Sequence, residues 1–173
     1  MSISLPIRTS RLVVRQFQPS DLPAYLTFML DGESTRYLAF DDAQTTEAGA
    51  TELFNYVLGA YDSENPVDAY AIALAESDRY VGSCGFSPYK ADVVECYWSI
   101  NAGDRRQGYA LEAMQGLLGA LQTSGIGEVR AYASAENIPS LNLAQKLNMT
   151  NRGRATHLHS GLEGILYSMI FRP

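Results

Sequence analysis

The sequence predicts an α+β protein with a mixed sheet, and three observations carry that prediction. Runs rich in β-branched and aromatic residues read as strands. Apolar residues recurring at three- and four-residue spacing read as amphipathic helices. They follow one another as a strand, two helices, three strands, a helix, a strand, a helix and two strands, which is an α+β order. With 173 residues the chain buries roughly two-thirds of its unfolded surface as one domain over residues 1–173. No internal repeat, low-complexity run or linker divides it.

The first strand is Arg11 to Phe17, where Leu12 and Val14 alternate with Val13, Arg15 and Phe17. Pro19-Ser20-Asp21-Leu22-Pro23 supplies a cap and a first-turn proline for a helix carrying Leu22, Tyr25, Leu26 and Met29. Residues 31–44 are polar and aromatic by turns. Tyr37, Phe40, Asp41 and Asp42 there read as a solvated helix–helix loop or as the wall of a pocket for a cationic amine. A second helix follows from Thr45 to about Tyr61. Ala69 to Ala75 and Tyr80 to Phe86 form a hairpin around Glu76-Ser77-Asp78-Arg79.

Val93 to Ile100 has no glycine or proline and a single charge, Glu95, so it reads as a strand buried on both faces. A helix begins near Gly108, with Leu111, Met114, Leu117, Leu118 and Leu121 on its apolar stripe. Between them, Asn101 to Gln107 forms a polar loop. A loop of this content ending in glycine at a helix start leaves several backbone N–H groups without intrahelical partners at the positive end of the helix dipole. That is an anion socket. Arg105 and Arg106 add charge beside it, and Gly108 and Ala110 keep bulk away from it. An ordinary strand–loop–helix connection with two solvated arginines is the other reading of the same residues. A P-loop is excluded, because Tyr109 and Ala110 follow the glycine. A dinucleotide fingerprint needs three glycines where Gly108 stands alone.

The last third of the chain reads as a strand over Glu128 to Ser134, a helix from Asn137 to about Met149, and two closing strands between Thr150 and Pro173, turning at Ser160-Gly161. Asn137 is a suitable N-cap and Pro139 suits the first turn. His157 and His159 share a face on a strand, but no third ligand with matching spacing accompanies them, so they read as exposed or acceptor-side residues and no metal is expected. Cys84 and Cys96 lie in apolar runs without metal or redox spacing and read as buried reduced thiols, which suits a cytoplasmic protein. No apolar run approaches the length of a membrane span. The net charge of −6 disfavours nucleic acid and anionic membrane and favours cationic substrates.

Arg105-Arg106-Gln107-Gly108-Tyr109-Ala110 resembles the Arg/Gln-x-x-Gly-x-Gly/Ala signature by which GNAT-superfamily N-acetyltransferases hold the pyrophosphate of acetyl-CoA. Glu95, Trp98 and Tyr109-Ala110-x-Glu112-Ala113 resemble the RimJ/RimL-like branch, which acetylates protein N-termini and small amines. Arg106 stands where that branch often has glycine, Leu111 where it often has threonine, and Ser10 replaces a usual glutamate. Val81-Gly82-Ser83-Cys84-Gly85-Phe86 is similar to the family's Ile-Gly-x-x-Gly, Asn137-x-x-Ser140 with Lys146-Leu147-Asn148-Met149 to its Asn-x-x-Ser…Lys-Leu-Gly-Phe, and Tyr167 to a tyrosine of its last strand.

The resemblance implies a GNAT-like, mostly antiparallel sheet of about seven strands with four helices and a splayed central strand pair. It also implies acetyl-CoA as co-substrate. Trp98, Ser99 and Ile100 would bond its thioester arm, Arg105 to Ala110 its pyrophosphate, and Asn137 and Ser140 its arm and sulfur. The reaction is then acetyl transfer to a primary amine, on a protein N-terminus or a small molecule. An amine attacks only as the free base, so a proton must be taken up. Glu95, flanked by Val94, Cys96, Tyr97 and Trp98, is suited by desolvation to take it, and Ser140 is the hydroxyl that would protonate the departing thiolate. A non-catalytic acyl-CoA-sensing domain is the alternative, and both monomer and homodimer stay open.

Overall fold

The structure, a computed structural model, describes residues 3–171, so Arg172 and Pro173 of the expected closing strand lie outside the described residues. Eight strands form one sheet: β1 Ile7–Arg8, β2 Leu12–Arg15, β3 Ala69–Leu74, β4 Tyr80–Lys90, β5 Val93–Ile100, β6 Glu128–Ala133, β7 Thr150–Thr156 and β8 Glu163–Ile170. Their order is β1-β2-β3-β4-β5-β6-β8-β7. Neighbours are antiparallel except β5 and β6, which run parallel. Five helices accompany them: α1 Leu22–Met29, α2 Gly32–Thr35, α3 Glu47–Ala60, α4 Tyr109–Thr123 and α5 Ile138–Lys146. The expected order holds. The additions are β1, too short to leave a period-2 signal, and α2, a single turn inside the stretch read as loop.

β4 also runs four residues past its expected end at Phe86, through Pro88. Proline is tolerated because β3 pairs with β4 only as far as Gly85, which leaves Pro88 on an edge. Its register partner is Val94.

Two apolar clusters cover the two sides of the sheet. The larger joins Leu12, Val14, Ile72, Cys84, Val94, Cys96, Val129 and Tyr167 to Met114, Leu117 and Leu121 of α4 and Ala144 of α5. The smaller joins Phe17, Ala71 and Tyr80 to Tyr25, Phe28 and Met29 of α1 and Ala50 and Phe54 of α3. Phe17 is its hub, with Tyr25 and Phe54 edge-on at centroid distances of 5.9 and 5.5 Å. Cys84 and Cys96 are buried and unpaired, and burial pushes the Cys96 thiol up to about 12 and the Cys84 thiol higher still.

A buried cation pins the first strand to the small cluster. Arg15 in β2 grips Asp21, the residue before α1, through both terminal nitrogens at 2.8 and 3.0 Å. Its Nε donates to Asp78 in the β3–β4 turn at 2.7 Å. Asp21 also accepts from Gln18 N–H at 2.8 Å, so this carboxylate both starts the helix and neutralises the arginine. Removing the cation strands Asp21 in the interior. Arg15→Met therefore lowers the free energy of unfolding by roughly 3–5 kcal/mol, read as a shift of the urea midpoint without change in slope.

Candidate active site

β5 and β6 share three register pairs, Val93 with Glu128, Val94 with Val129 and Glu95 with Arg130. Beyond Glu95 they part. β5 stays paired with β4 out to Ile100, and β6 with β8 out to Ala133. Each strand is thus satisfied on its far side, and a wedge opens between them. Because the pair is parallel, both carboxyl ends lie at the wide end of the wedge, where β5 leads to α4 and β6 to α5. Two helix N-termini therefore flank one crevice at the carboxyl ends of parallel strands, the general position of ligand sites in such sheets.

Backbone polarity inside the wedge follows from register. Asn101 N–H donates to Val81 O at 2.9 Å, and Ser99 lies opposite Ser83. In an antiparallel ladder the hydrogen-bonding direction alternates, so Tyr97, Ser99 and Asn101 spend their backbone groups on β4. Cys96, Trp98 and Ile100 face the other way: Cys96 completes the last rung with β6, where Glu95 pairs with Arg130, and Trp98 and Ile100 aim their backbone groups into the wedge. Of the expected Trp98, Ser99 and Ile100, Ser99 is thus turned away, and its Oγ meets Ser83 Oγ at 2.8 Å.

At the mouth, Gly108 sits at φ +80° as the N-cap of α4 and Arg106 at φ +63°, both left-handed. The N–H groups of Arg106, Gln107, Gly108, Tyr109 and Ala110 donate to no group among the described residues. The two expected arginines differ in use. Arg105 folds back to Ile100 O at 3.2 Å and Ser34 Oγ at 2.6 Å, tying the loop to α2, whereas Arg106 is exposed and makes no ion pair among the described residues. Asp104, in the same loop, is held by both terminal nitrogens of Arg79 at 3.1 and 2.8 Å. The sequence reading missed Arg11. Its guanidinium donates to Gln107 O at 3.0 Å and lies 5.1 Å from the Tyr109 ring centroid.

Glu112, an acid in the first turn of α4, takes four donors from the β1–β2 turn: Thr9 Oγ1, Ser10 Oγ, Arg11 N and Arg11 Nε, at 2.6 to 3.0 Å. Ser10, a departure from the family pattern, is one of them. At the wide end of the wedge Asn137 caps α5, its Oδ1 accepting from Ser140 N–H at 3.3 Å. Ser140 Oγ has no partner among the described residues.

Glu95 sits where the wedge begins. The strand was expected to be buried on both faces, and it is buried on one. Val94 and Cys96 belong to the α4 cluster and Trp98 and Ile100 pack against it, while Glu95 is half-buried and Tyr97 is 41% exposed on the other side. Of the neighbours expected to desolvate Glu95, Val94, Cys96 and Trp98 point away from it, because successive side chains alternate across a strand, and Tyr97 alone shares its face. Its actual partner is His157, whose Nε2 lies 2.7 Å from Glu95 Oε1. His157 follows β7, and its Nδ1 receives Ser160 N–H at 3.0 Å and lies 2.8 Å from Ser160 Oγ. The Tyr132 hydroxyl of β6 lies between the carbonyls of Ala155 and Leu162 at the two ends of this β7–β8 loop and shares its one proton between them, Leu162 O being 2.7 Å away. His159 stacks edge-on between His157 and Tyr89, and Arg130 lies over Tyr89 at 4.7 Å. His157 is 15% exposed and bonded to Glu95, so it is not an exposed histidine.

The remaining residues proposed for the acceptor pocket lie elsewhere. Phe40 packs on the smaller cluster, Asp41 and Asp42 are exposed, and Asp41 accepts from Gln44 N–H, which is the loop reading of that stretch. Among the described residues no group of three or more His, Cys, Asp or Glu side chains is placed to hold a metal ion. No helix among them is long and apolar enough to cross a membrane.

The sequence profile described as Acetyltransferase (GNAT) domain matches residues 11–150. An uncharacterized N-acetyltransferase of Bacillus subtilis, YnaD, is 26% identical over 149 residues, 85% of this chain and 84% of that protein. A GNAT-family acetyltransferase structure from Bacillus anthracis superposes with a TM-score of 0.81 at 23% identity, covering 96% of this chain and 99% of the other. RimL, a ribosomal L7/L12 α-N-protein acetyltransferase in complex with coenzyme A, shares the fold with a TM-score of 0.77 at 14% identity, covering 96% and 98%.

The Glu112 contact has a defined pH signature. Burial alone would raise this carboxyl, but the bonds from Thr9, Arg11 and Ser10 outweigh it and hold it at about 2 against an ordinary 4.5. A depressed carboxyl stabilises the fold fully above its unfolded value and loses that contribution as pH falls toward the folded value. The stability gap between the parent and Glu112→Gln is therefore constant above about pH 5 and narrows between 4.5 and 2, as measured by denaturation at a series of pH values.

Proposed function

The chain belongs to the GNAT acetyltransferase family, and on that premise we propose that it moves the acetyl group of acetyl-CoA to a primary amine by direct attack, with residues 1–173 acting as one domain. The observation that carries the proposal is the wedge between β5 and β6, with free amides at its mouth and a carboxylate at its apex. Five unpaired N–H groups at a helix start suit a diphosphate. Arg106 is the side chain free to join them. The outward amides of Trp98 and Ile100 suit an extended amide-bearing arm, as an added strand would be held, and Asn137 Nδ2 and Ser140 Oγ stand at the wide end.

Acetyl-CoA supplies an acyl group activated as a thioester, and the chain supplies proton management. An alkyl ammonium has a pKa of about 10.4 and an N-terminal one about 8, so the nucleophile must lose a proton before it reacts. Glu95 takes that proton, directly or through water. Backbone N–H groups in the wedge stabilise the developing oxyanion, and Ser140 donates to the departing thiolate. RimL acts on a protein α-amino group, and its likeness in fold supports the same class of nucleophile here, in the manner of the RimJ/RimL-like branch. The net charge of −6 fits a cationic acceptor.

Two variants test this. Gly108→Val forces a β-branched residue into a left-handed conformation, so the amide array cannot form and coenzyme A titrates without a binding isotherm into protein that still unfolds cooperatively. Normal affinity would put the diphosphate elsewhere. Glu95→Gln lowers turnover by about 100- to 10,000-fold with acetyl-CoA affinity retained, measured as thiol release with a panel of peptide N-termini, polyamines and aminoglycosides. Thiol release from the parent protein separates an enzyme from a sensor, which binds without turnover.

A further inference from the structure

We propose that His157 is a positioning residue for Glu95: an imidazole held as the Nε2–H tautomer, which binds Oε1 and leaves Oε2 as the oxygen that takes the proton from the amine. The inference rests on the reading of Glu95 as general base and adds to it the residue that orients the base. It begins from the one contact whose polarity is fixed. Ser160 N–H is a backbone amide and can only donate, so His157 Nδ1, 3.0 Å away, must present its lone pair. The Ser160 hydroxyl lies 2.8 Å from the same nitrogen. With Nδ1 accepting, the ring proton resides on Nε2, and Nε2 faces Glu95 Oε1 at 2.7 Å.

The arrangement survives the proton transfer. Before it, Oε1 of the carboxylate accepts from Nε2–H. After it, the proton from the ammonium is on Oε2, Oε1 has become the carbonyl oxygen of the acid, and it still accepts from Nε2–H. One N–H bond of the ammonium breaks, one O–H bond forms, and the imidazole changes neither charge nor tautomer. A second proton on the ring would have to displace Ser160 N–H from Nδ1. Two rings hold the imidazole in place. Tyr132 packs edge-on at 5.2 Å, His159 edge-on at 5.8 Å, and the Tyr132 hydroxyl anchors Ala155 and Leu162 on either side of the loop. Gly164 makes room for this, since a Cβ there would come within 2.8 Å of the Tyr132 ring and 2.4 Å of Ala133 O.

Two substitutions divide the ring's two contacts. Glutamine carries its amide nitrogen where Nε2 was, and asparagine carries its amide where Nδ1 was. With acetyl-CoA and the best amine of the panel, His157→Asn lowers kcat by about 10- to 100-fold and leaves the KM for acetyl-CoA within about threefold, while His157→Gln recovers most of the loss. In a Glu95→Gln background His157→Asn costs nothing further, because the group it positions is gone. Equal impairment of the two His157 variants, parent-like turnover of His157→Asn, or additive losses would overturn the proposal. Full activity of Glu95→Gln strikes the general-base reading itself. An impaired Glu95→Gln beside an unimpaired His157→Asn strikes only the positioning role. A second measurement needs no acceptor. The chain has two histidines, so one His157 variant assigns the long-range nitrogen–proton spectrum, in which His157 shows a protonated Nε2 and a bare Nδ1. The opposite tautomer would end the proposal.

Discussion

The parting of β5 from β6 is the constraint on which the rest of the site depends. A parallel pair that stayed zipped would bury its backbone groups in a ladder and leave nothing to bind with. Here each strand has an antiparallel partner on its far side, β4 for one and β8 for the other, along the length where the two diverge. The backbone amides of Trp98 and Ile100 are therefore left over by the topology. Because the diverging strands are parallel, the helices that follow them both start at the open end, and the same geometry that frees the strand amides brings two helix N-termini to the crevice.

Each wall of that crevice is tied to a distant part of the chain. The start of α4 is held by Thr9, Ser10 and Arg11, which give Glu112 four donors, and by Arg11 on Gln107 O. An acid in the first turn would otherwise compete with an incoming anion for the same positive end of the helix. Its charge is answered by the Arg11 guanidinium and its lone pairs by hydroxyl and amide donors, so the free N–H groups one turn earlier keep their field. The loop itself is anchored through Arg79 on Asp104 and Arg105 on Ser34. On the opposite face Tyr132 braces the β7–β8 loop that presents His157 to Glu95. The α4 mouth of the wedge and its Glu95 apex are thus stiffened by separate hydrogen-bond sets.

Local pattern revealed most of the architecture. Helices α3 and α4 and strands β3, β5 and β6 announced themselves within a residue or two, because their apolar periods are long enough to be read, and α5 ends three residues before its expected Met149. β1 has two residues and α2 four, too few for a period to emerge; β1 is held by pairing with β2, and α2 is tied to the chain's middle through Arg105 on Ser34. Pro88 concealed the end of β4 because a proline says nothing of whether its strand lies on an edge. Glu95 teaches the sharper lesson. Its flanking residues suggested an apolar pocket, yet in a strand the residues at i±1 describe the other face, and the surroundings of a side chain come from neighbouring strands and loops.

What the sequence determined by itself was everything set by adjacent residues: the helical and extended periods, the caps, and the Gln107-Gly108-Tyr109 turn with its unsatisfied amides, since helix-start geometry follows from the residues at that start. What only tertiary structure decided was pairing across distance. Arg11 and Glu112 lie 101 residues apart and His157 and Glu95 lie 62 apart, and no local pattern encodes which strand turns away from which. Chain folding brought the imidazole to the carboxylate: β8 pairs with β6 and β7 with β8, and the loop that joins β7 to β8 carries His157 back to Glu95.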